Sequence, residues 1–235
     1  MKLTVLGKYG PYPSKSGGTS SYLLECGHQK ILIDAGCGTL SRVQEFCALQ
    51  DINLILLSHL HADHCCEMFV LRYALKKPVE VYLPPLPKEE YDLLCKSDCF
   101  CTTAINSETV IEQENLKISF CEMSHPVLCY AIKVQYNQKT LVFSGDTIYS
   151  DALINFAKDA EVLLCDSGFL STYQSDKPLP HMFTAQAAQT AQNAHVGRLL
   201  LTHINPCYDE QKIIDEATAI FKNTVVVQEN TSYEI

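Results

Sequence analysis

Four potential metal ligands crowd into the six residues His59-Leu60-His61-Ala62-Asp63-His64, which hold three of the chain's 8 histidines. Imidazole nitrogen with a carboxylate oxygen suits zinc, and manganese or iron at some cost in softness. On an extended stub alternate residues share a face, so His59 and His61 can grip one ion. A bend after them turns Asp63 and His64 toward a second.

Three further residues complete the shell, each expected at the end of an apolar strand. His125 follows a strand in Met123-Ser124-His125-Pro126, where the proline keeps the loop extended. Asp146 lies in Ser144-Gly145-Asp146-Thr147, where glycine turns the chain and a projecting carboxylate can bridge two metals. His203 closes Leu199-Leu200-Leu201-Thr202-His203, an echo of Leu54-Ile55-Leu56-Leu57-Ser58-His59. Strand ends are where α/β sheets place their chemistry, so two equivalent strands would aim two histidines at one site between half-sheets. The assignment is His59, His61 and His125 on one divalent ion, Asp63, His64 and His203 on another, and Asp146 between them.

These ligands need a scaffold of strands and helices. Strands are expected at 2–6, 22–26, 31–34, 54–57, 79–83, 116–122, 129–136, 140–144, 161–165, 199–201 and 224–227. Helices are expected at 39–49, 67–75, 87–95, 152–156, 184–194 and 210–221. No Gly/Ser-rich linker divides the chain, so residues 1–235 are read as one domain. The segment 84–110 carries no motif and is expected to line the site, to form a dimer contact or simply to pack.

The whole pattern resembles the metallo-β-lactamase-fold hydrolases and, within them, the ribonuclease Z-like branch of metal-dependent phosphodiesterases. The resemblance runs from Thr19-Ser20-Ser21-Tyr22-Leu23-Leu24 and Ile31-Leu32-Ile33-Asp34-Ala35-Gly36 through the histidine motif to Leu201-Thr202-His203. It implies an α/β chain folded as an αββα four-layer sandwich, with a dinuclear site at one edge of the two sheets and Asp34 beneath the metals. It also implies a general acid, His181, in Leu179-Pro180-His181-Met182-Phe183-Thr184 ahead of an Ala- and Gln-rich helix. Asp166 matches the acidic residue that orients this histidine, although the RNA-processing members tend to carry Glu there. Asp63, His181 and Asp166 are therefore the catalytic set, Asp63 also serving as a ligand. Hydroxide held between two Zn2+ ions (or Mn2+ or Fe) would attack phosphorus in line while His181 protonates the leaving oxygen.

Composition narrows the substrate. A hydrophobic fraction of 47% excludes a disordered chain. The longest stretch without Asp, Glu, Lys or Arg, Pro178–Gly197, holds two His and three Gln and is no membrane span. No signal peptide is read, so a cytoplasmic protein is expected. The net charge is −9 and only Arg42, Arg72 and Arg198 are arginines, which argues against a wide nucleic-acid footprint. A small or cyclic anionic phosphodiester is the expected substrate, rather than structured RNA. Family members are often dimers, so a homodimer fits the resemblance, though no interface is read from the residues. The alternatives are a thioesterase or lactonase of the same fold, ribonuclease Z-type RNA 3'-end processing, and a non-catalytic metal-bearing binding module. The 12 cysteines are read as reduced thiols that pack as small apolar groups. Cys65 and Cys66 are expected to pack at the start of the following helix, with a lean toward the metals as the alternative. Cys95, Cys99 and Cys101 leave a structural zinc as an alternative, without the second pair such sites usually show.

Overall fold

Alternation along the strands decides where each side chain goes. The computed structural model describes residues 1–235. Along β2 (Ser21–Cys26), Tyr22 and Leu24 enter the space between two sheets, and Leu23 points outward. Along β12 (Arg198–Thr202), Leu200 points inward whereas Leu199 and Leu201 meet helices on the other face. Both strands are apolar without a break because both of their faces are covered.

The first seven-stranded sheet contains β1 (Lys2–Gly7), β2, β3 (Gln29–Ile33), β4 (Leu54–Leu56), β5 (Val79–Leu83), β6 (Phe100–Ala104) and the C-terminal β14 (Thr231–Glu234). Its order is β14-β1-β2-β3-β4-β5-β6. The second also has seven strands and contains β7 (Val110–Gln113), β8 (Leu116–Met123), β9 (Cys129–Tyr136), β10 (Lys139–Phe143), β11 (Val162–Asp166), β12 and β13 (Thr224–Val226). Its order is β7-β8-β9-β10-β11-β12-β13. Each sheet is antiparallel over its first four strands and parallel over its last four. The outer face of the first sheet is covered by α1 (Thr39–Val43), α2 (Ala62–Cys65), α3 (Met68–Leu71) and α4 (Lys88–Cys95). The second is covered by α5 (Asp151–Phe156), α6 (Thr184–Asn193) and α7 (Glu210–Thr218). The result is the expected αββα sandwich. Three alanines of α6, Ala187, Ala188 and Ala191, are fully buried against the second sheet, which explains its composition.

Several expectations change. The strand echo is not an internal repeat. Counted from the antiparallel edge, β4 is the fifth strand of its sheet and β12 the sixth, so β11 is the true counterpart of β4. The segment 84–110 packs: it supplies α4 and β6 and extends the first sheet at its edge. The expected helix at 39–49 stops at Val43 and continues as turns, with a short 3-10 turn at Leu49–Asp51. The helix at 67–75 is regular only over Met68–Leu71. No helix is long and apolar enough to cross a membrane.

The C-terminal segment also fastens the loop between β1 and β2. Glu229 Oε1 accepts from Gly18 N at 2.6 Å and from Arg42 Nη1 at 2.9 Å. Arg42 in turn donates to the carbonyls of Leu6 at 2.7 Å and Ser16 at 2.6 Å. The pair is largely shielded, at 13% and 17% side-chain exposure, so it is worth more than a surface ion pair. Glu229→Ala is expected to lower the unfolding free energy by about 2 kcal/mol, as for loss of a charged hydrogen bond. Urea denaturation should show a lower midpoint with an unchanged slope.

Candidate functional site

All seven expected ligands and both members of the acid pair meet at the ends of the parallel strands. His59 follows β4, His61 precedes the first turn of α2, and Asp63 and His64 ride on that turn. His125 follows β8, Asp146 follows β10, Asp166 ends β11 and His203 follows β12. His181 lies on the approach to α6.

Donor atoms of His59, His61, His125 and Asp146 lie within 4.8 Å of one another, as do those of Asp63, His64 and His203. His61 Nδ1 sits 3.1 Å from both His59 Nε2 and His125 Nε2. Asp146 reaches both groups. Its Oδ2 is 3.6 Å from His59 Nε2 and 3.3 Å from His203 Nε2, and its Oδ1 is 3.3 Å from His64 Nε2. Asp63 Oδ2 lies 3.3 Å from His203 Nε2 and 3.6 Å from His64 Nε2.

Neighbouring oxygens fix the tautomers. His64 Nδ1 donates to Asp34 Oδ2 at 2.7 Å, and His125 Nδ1 donates to the Pro180 carbonyl at 3.2 Å. Ser58 Oγ donates to Asp34 Oδ2 at 2.9 Å and accepts from His59 Nδ1 at 3.1 Å. With Nδ1 occupied, His59, His64 and His125 each turn Nε2 toward the cluster. Asp34 is wholly buried and also accepts from Ser58 N at 2.7 Å, so one carboxylate aims two ligands.

The arrangement fits a pair of cations. A tetrahedral ion with metal–nitrogen bonds of about 2.0–2.1 Å holds its ligand atoms roughly 3.3 Å apart, close to the spacings here. Three imidazole nitrogens around one point cannot satisfy each other with a single proton. His64 Nε2 and Asp146 Oδ1 are buried and have no hydrogen-bond partner, a condition that otherwise costs about 1–3 kcal/mol.

Charge tells the same story. Burial works to lower the pKa of His203, but Asp146, Asp166 and Asp63 outweigh it and hold the group up at about 10. His64 is likewise kept well above the usual histidine range, burial being overcome by Asp146, Asp34 and Asp63. His59 is pushed well below it by burial and by His64. Burial raises the Asp146 carboxyl, yet His203, His64 and His59 drive it well below the ordinary range. The carboxylates hold positive charge at His203 and His64, a field that suits a cation. Ligation must displace those protons.

The acid pair stands beside this cluster. His181 Nδ1 donates to Asp166 Oδ2 at 2.9 Å, and its ring stacks on His203 with centroids 4.8 Å apart. Burial lowers the His181 pKa, but Asp166 more than offsets it and the net shift is upward. Asp166 is fixed by Thr147 N at 3.2 Å and Gly168 N at 3.0 Å. A shorter carboxylate than Glu therefore still reaches the ring.

Some supporting groups left no mark in the sequence. A side chain at Gly10 would overlap the His203 ring, with a Cβ only 2.0 Å from Nε2. The Pro180 carbonyl and the Ser58 hydroxyl act through position alone. Tyr22 Oη pairs with Thr202 Oγ1 at 2.7 Å and joins the two sheets directly beneath the site. Cys65 is buried at 1% exposure and donates to the Leu60 carbonyl at 3.5 Å, but it ends α2 rather than starting a helix. Cys95, Cys99 and Cys101 belong to no group of converging ligand atoms.

The family model described as Beta-lactamase superfamily domain matches residues 29–204. The Bacillus subtilis protein named Probable metallo-hydrolase YhfI is 28% identical over 234 residues, 96% of each chain. The crystal structure of YhfI, described as a metallo-beta-lactamase fold protein, superposes with a TM-score of 0.93 at 27% identity over 99% of each chain. Ribonuclease Z of Chlamydia muridarum is 26% identical over an alignment of 293 residues, covering 99% of this chain and 96% of its own.

Elemental analysis of the purified protein should find close to two divalent ions per chain, and Asp146→Ala should reduce both together. Because His203 and His64 hold protons that ligation must displace, apparent metal affinity should rise as pH rises. Calorimetry in buffers of different ionisation enthalpy should register proton release on binding. Affinity independent of pH across the neutral range would contradict the assigned ligands.

Proposed function

The chain belongs to the beta-lactamase superfamily, and from that premise we propose that it is a metal-dependent phosphodiesterase acting on small or cyclic phosphodiesters. The observation that carries this reading is the His181–Asp166 pair, 2.9 Å apart and packed against the cluster of ligand candidates. A hydrolase whose leaving group departs readily has little need of a positioned acid. An alkoxide leaving phosphorus needs one.

His59, His61 and His125 would hold one ion, Asp63, His64 and His203 the other, and Asp146 would touch both. Zinc fits this donor set best, with manganese or iron as substitutes. Such ions supply a water of lowered pKa and offset the negative charge of the phosphate. Asp166 occupies His181 Nδ1, so the proton available to substrate sits on Nε2. The P–O bond to the alcohol breaks as that proton reaches the departing oxygen, and water supplies the new bond to phosphorus. Asp166 keeps its own charge throughout and steadies the protonated ring, as a positioning residue.

The relative named ribonuclease Z supports phosphodiester chemistry, since a ribonuclease cleaves phosphodiester bonds. The net charge of −9, with three arginines, favours a small substrate over an extended polyanion.

A panel of phosphodiesters, monoesters, thioesters and lactones tests the class. Diesters should be cleaved fastest, and a thioester or lactone turned over faster than any diester would refute the reading. His181→Ala should retain both metals. It should slow a diester with a poor alkoxide leaving group by roughly 10²-fold or more, and a nitrophenyl ester far less. Asp166→Asn should show the same contrast in weaker form. Equal slowing of both substrates with metal retained would make His181 a phosphate-binding group instead.

A further inference from the structure

A cavity of about 550 Å³ opens beside His181. Of the nine site residues only His181 lines it. Its size falls within the range of small-molecule pockets. His181 lines this space, so a group attached to an oxygen that His181 protonates can extend into it.

The walls define what they would accept. Tyr149, Tyr173 and Phe183 supply aromatic surface. Tyr149 is held by its hydroxyl, which accepts from Asn193 Nδ2 at 3.1 Å. Tyr173 stacks on Phe169 at 5.0 Å between centroids, with the planes 22° apart, and Phe169 also packs against Phe183 at 6.1 Å. The rings are thus braced from behind. Gln186 Oε1 accepts from Phe183 N at 3.1 Å, which fixes the amide and leaves its Nε2 as an unused donor at the cavity wall. No Asp or Glu lines the cavity, and Lys177, which does, makes no ion pair. Braced aromatic faces favour a flat ring. A free amide donor favours an acceptor on that ring's edge. A lone cation with no opposing acid disfavours a positively charged guest.

We propose that this cavity binds the leaving alcohol, and that the alcohol carries a flat aromatic ring without positive charge and with a hydrogen-bond acceptor at its edge. The proposal rests on the diesterase reading above. Tyr149 and Tyr173 select the ring, and Gln186 selects its edge.

Three methyl phosphodiesters with alcohols of matched acidity test it: 2-(quinolinyl)ethyl, 2-(naphthyl)ethyl and 2-cyclohexylethyl. The expected order of kcat/KM is quinolinyl, then naphthyl, then cyclohexyl, with each aromatic ester at least about fivefold above the cyclohexyl ester. Tyr149→Ala and Tyr173→Ala should erase the advantage of the aromatic esters. Gln186→Ala should erase only the difference between quinolinyl and naphthyl. In parallel, saturation-transfer NMR on the purified protein should detect the free quinolinyl alcohol bound through its ring, and the signal should fall in both tyrosine variants. Hydrolysis of all three esters at equal rates, with no ring signal, would overturn the proposal while leaving the diesterase reading intact. A ring signal without hydrolysis of any diester would overturn the diesterase reading and, with it, the cavity's role as a leaving-group site. Neither signal nor hydrolysis would overturn both.

Discussion

A carboxylate taken out of water needs compensating charge, because burial without a partner costs several kcal/mol. Asp146 is 2% exposed and lies within 4.0 Å of nitrogens from His59, His64, His125, His181 and His203. Few other groups in the protein carry such a requirement. It is met only if histidines from both sheets arrive at one point. The sandwich achieves this by ending its parallel strands at the same edge, β4 from one sheet and β10, β11 and β12 from the other. The imidazoles relieve the carboxylate, and the carboxylates keep some of those imidazoles protonated.

Precision in such a cluster carries a cost in backbone freedom. Asp34 and His203 are both non-glycine residues in the left-handed region, with φ of 56° and 55°. Each is the residue that follows a strand or its immediate continuation, and each turns a side chain back into the site. Such conformations persist where surrounding contacts overdetermine them. Three hydrogen bonds hold Asp34, from Ser58 N, Ser58 Oγ and His64 Nδ1. His203 is confined by the Gly10 backbone on one side and by the His181 ring on another. At Gly145, with φ of 59°, the constraint takes its ordinary form: a Cβ there would lie 2.9 Å from Cys129 Sγ. That glycine releases Asp146 from its strand.

The candidate ligand set could be gathered from the sequence because metal chemistry admits few residue types and strand ends are marked by apolar runs, and the fold brings those residues together. His59, His61, Asp63, His64, His125, Asp146 and His203 needed only those two facts to be gathered. The central strands were readable for the same reason, since burial on both faces leaves unbroken Val, Ile and Leu. Of the four edge strands, only β13 was. β6 reads Phe-Cys-Thr-Thr-Ala and β7 reads Val-Ile-Glu-Gln, half-polar segments whose pairing is decided by their neighbours. β14 lies far in sequence from its partner β1, and no local pattern announces that pairing. The similarity of β4 and β12 misled in one respect. Buried parallel strands look alike wherever they stand, so composition revealed their shared destination and concealed their different places in the sheets. Gly10 and the Pro180 carbonyl act through backbone position, which residue identity does not encode.

One short segment links the two halves of the proposed chemistry. Pro180 orients His125 through its carbonyl, and the next residue is His181 itself. The same stretch, from Tyr173 to Phe183, forms much of the wall of the cavity beside the acid. A ligand orientation, the placement of the acid and the fit of a leaving group therefore share one piece of backbone. Its ends are secured, by Phe169 N donating to the Met182 carbonyl at 3.3 Å and by Thr184 N donating to the Phe169 carbonyl at 2.7 Å. The middle, Ser171 to Pro178, is exposed, tied down by Ser171 on Glu216 and by Tyr173 stacked on Phe169. Rigid ends with an open middle let the cavity wall vary in sequence while His125 and His181 stay in register with Asp146 and Asp166. Specificity for the departing group can in this way change without disturbing the ions that would act on phosphorus, which is the division of labour expected when function is carried on loops over a fixed scaffold.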